Sequence, residues 1–582
     1  QENPQGLATS LAQRNPRLAP NQRSAERIAI KPASLGRHVY NVRVSGPDGI
    51  EVRRRVALEV MPPANDIRRT VVASLAAKGG RLSLSSDLLA DLIPSSARLA
   101  LNVGPSAGMD VPGLLASLDR YPYGCAEQTT SRALPLLYVN DVAKRIGLAE
   151  ESQLKERVEK AVARVLEMQD ASGAFGIWGP GEPDLWLTGY VTDFLTRAKE
   201  LGYTIPERQL TQALDRLANF ISYAQDFEKG GEARAYALYV LARNGRAPVG
   251  ELRYYVDTRL ERFSSALAQA QIGAALAMTG DKPRAERAFR AALTRMGDDA
   301  ADNGRADYGS RLRDGAAVLT LVSETRTLVS EAPQLARVIE RAQATRTYTS
   351  TQEQAWMLLA ARALSDAAAG TRLTVNGAVH SGELTRSLAA SDLGQGGLAV
   401  VNSGEAPVSA VVSVTGSALT AEPAVSKGFT ISRSYHTLDG TPIAANDAQM
   451  AVKQNDRVVV VLKMEGQHTG GRVLLVDRLP AGFEIENPRL VDSGDTKSLA
   501  WVGASGKPAH TEFRDDRFVA AFNYFEGEDR STGTKPAATV AYIVRAVTPG
   551  RYVHPAASVE DMYRPDLHAR TGAGTLEVAP AQ

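Results

Sequence analysis

Tyr121-Pro122-Tyr123-Gly124-Cys125-Ala126-Glu127-Gln128-Thr129-Thr130-Ser131-Arg132 holds the only cysteine in 582 residues, with a glutamine three positions after it. Pro122 and Gly124 read as turn punctuation, and the apolar run from Ala133 through Val139 reads as a helix, which puts Cys125 at or near a helix N-terminus. Unsatisfied backbone N–H groups and the helix dipole at that position favour thiolate, so the reading expects a lowered thiol pKa. Residues i and i+3 lie on one side of a helical turn, so the sulfur of Cys125 can reach the side-chain carbonyl of Gln128. Displacement of ammonia from that amide by sulfur would leave an internal thioester. Glu127 projects to another side of the helix and is given no chemical role. The plain alternative for Cys125 is a buried free thiol that packs as a small hydrophobe.

The string Gly124-Cys125-Ala126-Glu127-Gln128 resembles the thioester signature, Gly-Cys-x-Glu-Gln, of the alpha-2-macroglobulin and complement family, and the full twelve-residue string is similar to its bacterial branch. The resemblance implies a stored acylating agent, Cys125 joined to Gln128, that covalently captures an attacking protease through a lysine amine. It implies a single-turnover inhibitor rather than an enzyme. A thioester must be kept from water until it is used. Tyr121, one turn ahead of Cys125, is one candidate shield; by resemblance, Met562 and Tyr563 within Asp561-Met562-Tyr563-Arg564-Pro565 form another. Complement members with hydroxyl preference use a histidine of the thioester domain, and residues 105–370 contain none of the seven histidines. Direct attack by lysine is therefore the expected route. His554 and His568 flank the Met-Tyr segment and could approach the site.

Outward from this stretch, composition describes an ordinary globular chain of several domains, 44% hydrophobic and 23% charged. A net charge of +2 gives no whole-chain argument for nucleic acid or an anionic membrane. One cysteine excludes an intrachain disulfide. No apolar run approaches the length of a membrane span, and the start Gln1-Glu2-Asn3-Pro4 has neither an initiator methionine nor a signal peptide. The expectation is a C-terminal piece of a longer chain. By resemblance, that chain is a monomer of the periplasm or cell envelope, lipid-anchored through a distant N-terminal segment.

Two alternating runs around Gly46-Pro47-Asp48-Gly49 predict a β-hairpin of a sandwich within 1–62, which the resemblance implies is part of a macroglobulin-like domain. Val71-Val72-Ala73 and Ala97 to Val103 predict strands. From about residue 105 to Gly370 the period becomes 3.6, as in Leu154, Val158 and Val162, or Leu210, Leu214, Leu217 and Ile221. So many helices with short connections predict a solenoid or a closed ring, and spacing does not choose between them. The resemblance implies an α/α toroid, with Trp186-Leu187-Thr188-Gly189-Tyr190 and Ser350-Thr351-Gln352-Glu353 similar to its helix starts. Strands resume at Leu373-Thr374-Val375 before Asn376-Gly377 and again at Val411 to Val414. Strands on both sides of the helical block predict one β domain interrupted by it, and the resemblance implies that this is a CUB β-sandwich of 63–104 and 371–425 split by the toroid of 105–370. Residues 426–582, with strands such as Val458–Leu462, Val473–Val476, Phe518–Phe522 and Val540–Val544, predict an independent sandwich, which the resemblance implies is the C-terminal macroglobulin-like domain.

Two competing functions come from other classes. Asp298, Asp299 and Asp302 would suit a glycosidase or cyclase of the helical-ring type, but no aromatic or second acidic cluster is tied to them by spacing, and a solvated loop suits them far better. Gly280 to Phe289 resembles one unit of a tetratricopeptide scaffold that binds a partner without covalent chemistry, although one unit cannot bury its faces alone. No cofactor motif, phosphate loop or metal spacing is present.

Overall fold

The computed structural model describes the chain except residues 33, 63–65, 105–106, 121–123, 139–150, 298–304, 345, 347, 365–369, 395, 445–448, 487–498, 527–531 and 582. Tyr121, Val139, Asp298, Asp299 and Asp302 therefore lie outside the described residues. The predicted hairpin is present: Gly36–Ser45 and Glu51–Val60 pair antiparallel around a short turn at Pro47–Gly49.

A β-sandwich then forms from two separated stretches of sequence. In one sheet Val408–Ser417 lies between Asp66–Leu75 and Arg98–Gly104, with Leu384–Leu388 outermost; the other sheet runs Arg81–Leu84, Leu398–Asn402, Arg372–Val375, Ala378–Ser381. Leu75, Leu99 and Leu101 from one sheet meet Leu373 and Val400 from the other in a shared core. Asn376 and Gly377 both take positive φ, 46° and 86°, as a two-residue hairpin turn of this hand requires. Strands before residue 105 thus pair with strands after residue 370, and the helices between them are an insertion.

The described helices of that insertion are α1 (Val111–Arg120), α2 (Ala126–Ala133), α3 (Glu151–Leu166), α4 (Leu185–Glu200), α5 (Glu207–Tyr223), α6 (Glu232–Arg243), α7 (Val249–Tyr254), α8 (Ala266–Met278), α9 (Lys282–Gly297), α10 (Arg311–Thr325), α11 (Ala332–Ala344) and α12 (Thr351–Ala363). The even-numbered helices pack in succession from α2 through α12, and α12 returns onto α2. That return makes the block a closed ring, an α/α toroid, where periodicity alone allowed a solenoid. Inner and outer helices differ in sequence as their positions demand. Inner α8 is apolar on nearly every face and buried almost throughout, whereas outer α5 carries a single stripe of Leu210, Ala213, Leu214, Leu217 and Ile221. The segment read as a tetratricopeptide unit is the turn into α9, which packs on α8 as part of the ring.

Residues 425–579 form the last β unit, with a six-stranded sheet and a five-stranded sheet enclosing a core of Phe429, Val458, Val460, Leu475, Phe522 and Val544, among others. Side chains alternate faces along a strand. On Arg472–Arg478, Val473 and Leu475 point into this core, while Leu474 and Val476 join the core of the helical ring together with Val519, Ala521, Met562 and Tyr563. The outer face of this sheet is thereby docked on the ring, and Met562 and Tyr563 sit in the turn between strands Ala557–Asp561 and Arg564–Arg570.

Candidate functional site

Cys125 is the N-cap of α2, with extended backbone angles of −67° and 166°. Its Sγ accepts from the Gln128 N–H at 3.4 Å, and its own N–H donates to Gln128 Oε1 at 3.4 Å. This reciprocal arrangement is a capping box in which sulfur takes the usual place of a hydroxyl. It folds the Gln128 carboxamide back over the thiol. The helix runs over Ala126–Ala133 rather than over the apolar run after it, since Pro135 brings no N–H and the chain tightens there into a 3₁₀ turn, Pro135–Leu137. Ala126 N–H donates to the Ile177 carbonyl at 2.8 Å, tying the helix start to a neighbouring loop.

Cys125 is 0% exposed and Gln128 1%. Burial pushes the thiol well above its ordinary range, and the nearby Glu127 charge pushes it further; hydrogen bonds from the Gln128 and Glu127 backbone and the charge of Arg472 only partly offset this. The expected thiolate is therefore overturned. A helix terminus stabilises an anion where water or a cation shares the task, and at a fully dry position the desolvation cost is larger.

Glu127 was expected to point away without a role, and here it is the most connected group of the site. It is fully buried and accepts from Ser131 Oγ at 2.5 Å, Thr351 Oγ1 at 2.9 and 3.1 Å, Gln352 Nε2 at 2.9 Å and the Tyr563 hydroxyl at 2.6 Å. Ser131 in turn shares a 2.8 Å bond with Tyr190. Thr351 and Gln352 open α12 behind the Ser350 cap, which forms a capping box with Glu353. One carboxylate thus joins the first and last inner helices of the ring to the last β unit. Beyond Ser131, its partners lie 224, 225 and 436 positions away, so no local pattern could have announced them.

Met562 and Tyr563, 6% and 7% exposed, belong to the same packed cluster as Cys125. The Tyr563 ring meets Tyr308 edge-on, at 4.9 Å between centroids and 88° between planes. Arg472 lies 3.7 Å above the Tyr308 ring and 5.9 Å from that of Tyr563, donates to Ala306 O at 2.9 Å and pairs with Asp184 at 3.4 Å. A second link between the two bodies is Trp178, stacked on His510 at 4.7 Å and 2°. The flanking histidines do not approach: His554 is buried against Tyr435, and His568 packs on Tyr348. Glu127, Tyr308, Arg472, Trp178 and His510 were not singled out from sequence.

Comparisons with known proteins agree with the fold. Residues 428–566 match the family model of the bacterial alpha-2-macroglobulin MG10 domain, and residues 99–230 match that of the A-macroglobulin TED domain. The chain is 31% identical over 518 residues to an alpha-2-macroglobulin of Escherichia coli (strain K12), covering 85% of this chain and 30% of that protein. It is 32% identical over 618 residues to an alpha-2-macroglobulin of Xylella fastidiosa (strain Temecula1), covering 98% and 34%. The chain therefore spans about a third of the length of these curated relatives. The crystal structure of native alpha-2-macroglobulin from Escherichia coli, spanning domain MG7 to the C-terminus, superposes with a TM-score of 0.80 at 28% identity, covering 94% of this chain and 87% of that one. Salmonella alpha-2-macroglobulin reacted with methylamine gives a TM-score of 0.80 at 29% identity, over 94% of this chain and 36% of that one.

Proposed function

The chain belongs to the bacterial alpha-2-macroglobulin family, matching its C-terminal part, and from that premise we propose that Cys125 and Gln128 form an internal thioester that captures an attacking protease covalently. The observation that carries this reading is the buried capping box, which holds Cys125 and the Gln128 side chain together in a packed cluster that also contains Met562 and Tyr563. Sulfur attack on the carboxamide carbon expels ammonia and leaves an acyl group to which sulfur donates poorly. A lysine amine then forms a stable amide with Gln128, and the Cys125 sulfur leaves. The event happens once per molecule, as in an inhibitor and not in a catalyst with turnover.

In this reading Met562 and Tyr563 exclude water until a protease cut elsewhere moves the last β unit off the ring. Tyr121 is proposed to share that task. The units are assigned as a partial macroglobulin-like sandwich at 1–62, a CUB sandwich at 63–104 and 371–425, the thioester domain at 105–370 and a macroglobulin-like domain at 426–582. Among the described residues no helix is long and apolar enough to cross a membrane. A monomer in the periplasm or cell envelope, held by a lipid anchor outside this segment, is the proposed setting. Intact mass tests the chemistry: the chain should be lighter than its sequence by one ammonia, and methylamine should add to it while exposing one titratable thiol. Cys125→Ala should abolish both effects, and persistence of either rejects the assignment.

A further inference from the structure

Glu127 differs from the other buried carboxylates of the molecule. Asp110 is paired with Arg68, Asp193 with Arg197, Asp307 with Arg305 and Arg313, and Asp477 with Arg433. The donors to Glu127 are two aliphatic hydroxyls, one carboxamide and one phenol, all neutral, and among the described residues no Lys, Arg or His pairs with it. A buried carboxylate without a cation is costly unless something else supplies positive potential. Here the N-termini of α2 and α12, where Glu127, Thr351 and Gln352 lie, supply part of it. Three of the four donors belong to the ring. The fourth, the Tyr563 hydroxyl, belongs to the last β unit and leaves with it.

Resting on the thioester reading above, we infer that Glu127 seats the attacking lysine ε-ammonium and accepts its proton, at the position the Tyr563 hydroxyl holds until the cover withdraws. Glu127 lies in sequence between the two thioester residues, and Tyr563, whose hydroxyl occupies it, packs in the same buried cluster as Cys125. A cation entering that space gains the counter-ion the pocket lacks. The ammonium gives one proton to the Glu127 carboxylate, and its freed lone pair attacks the Gln128 acyl carbon. The carbon–sulfur bond breaks with its electron pair on Cys125, and the second proton lost from nitrogen ends on that sulfur. The products are the amide, the thiol and a neutral Glu127 that returns its proton to solvent. No histidine lies within residues 105–370 to compete for the role. The other groups facing Glu127 are Tyr190 of α4, through Ser131, and the Cys125 sulfur; the cation of the cover, Arg472, departs with its strand.

The test is the pH profile of methylamine incorporation into the full chain, read as thiol release in wild type, Glu127→Gln and Tyr563→Phe, after intact mass has established the ammonia deficit in each. A deficit missing from wild type rejects the thioester reading itself and thereby overturns the seat as well. With the deficit present, ammonium delivery to a carboxylate makes the wild-type rate, per total amine, flat through neutrality, where methylamine is the ammonium. In Glu127→Gln the rate should fall about 100-fold near neutrality, the general-base contribution, and rise tenfold per pH unit with the free-amine fraction. Tyr563→Phe keeps the ring and frees the carboxylate, so its profile should stay flat and lie above wild type. Should Glu127→Gln not form the bond, the flatness of the wild-type and Tyr563→Phe profiles decides. A slope of one in wild type, or an unchanged profile in Glu127→Gln, overturns the inference.

Discussion

Two buried carboxylate clusters, one at each end of the helical ring, are satisfied in opposite ways. At the end where the inner helices start, Glu127 is held by neutral donors and capped by the last β unit. At the end where they finish, Arg197 is wholly buried and bonds Asp193 at 2.9 Å and Glu324 at 2.6 Å, while Arg243 bonds Glu324 at 3.2 Å and Glu200 at 2.7 Å. Here the network borders a cavity of about 680 Å³ lined by Tyr138, Arg243, Glu324 and Arg362. The helix dipoles make sense of both: cations suit the C-terminal ends and anions the N-terminal ends. The lesson is that the Arg197 end has its charges matched within the ring, while the Glu127 end leaves an anion to be satisfied from outside it.

The largest effect should come from breaking the matched end. Arg197→Met strands Asp193 and Glu324 without their shared guanidinium, and loss of one partner from a buried ion network costs about 3–5 kcal/mol. Urea unfolding should register that loss, while the folded fraction keeps the ammonia deficit at Cys125. Loss of the deficit in the folded fraction would mean that the two ends are not independent.

Next is the cover. Arg472 makes few hydrogen bonds for an arginine, its Nε and Nη1 finding no partner among the described residues, and it binds chiefly by lying over Tyr308 and Phe525 and by its contacts with Asp184 and Ala306. Arg472→Met keeps volume and removes the charge. With a desolvated cation–π contact worth about 2 kcal/mol, methylamine should react roughly 30-fold faster. Urea stability of the ring should change little, in contrast to Arg197→Met.

Much of this was readable in advance where the determinants are local. The helix starts at Cys125 and Ser350 and the Asn376-Gly377 turn are each set within four residues, and the structure has a helix beginning at both and positive φ at the turn. The strands assigned at Val458–Leu462 and Phe518–Phe522 fall inside real strands for the same reason. Properties set by distant contacts were not readable. The closure of α12 on α2 and the role of Glu127 depend on pairs more than two hundred residues apart. The sign of the Cys125 shift depends on burial that only the docked β unit and the ring together create.

Trp178 offers a smaller perturbation of the cover, at its rim. Its stack on His510 is worth about 0.5–1.5 kcal/mol beyond the area it covers. The loop carrying it also receives Ala126 N–H through Ile177, so loosening the stack is felt at the residue after Cys125. Trp178→Ala should speed methylamine reaction about 3- to 10-fold, below the effect of Arg472→Met. An unchanged rate would place the resistance to opening wholly at Arg472, Met562 and Tyr563.

The smallest effect is ionic and lies beside that stack. Glu512 bonds His510 at 3.2 Å and also accepts from Arg514, and these partners hold its carboxyl down at about 2, from an ordinary value of 4.5. Because the folded state holds the proton less tightly than the unfolded state, its contribution is complete above about pH 4.5 and is lost as pH falls toward 2. The group is partly solvated, so the free energy is on the order of 1 kcal/mol, well below the unscreened shift. Thermal unfolding of wild type and Glu512→Gln should therefore differ by a few degrees at pH 6 and converge between pH 4.5 and 2. A difference that persists at the acid end would show that Glu512 supports the His510 ring by shape alone. The rim would then resemble the neutral-donor site it guards more than the charge-matched end of the ring.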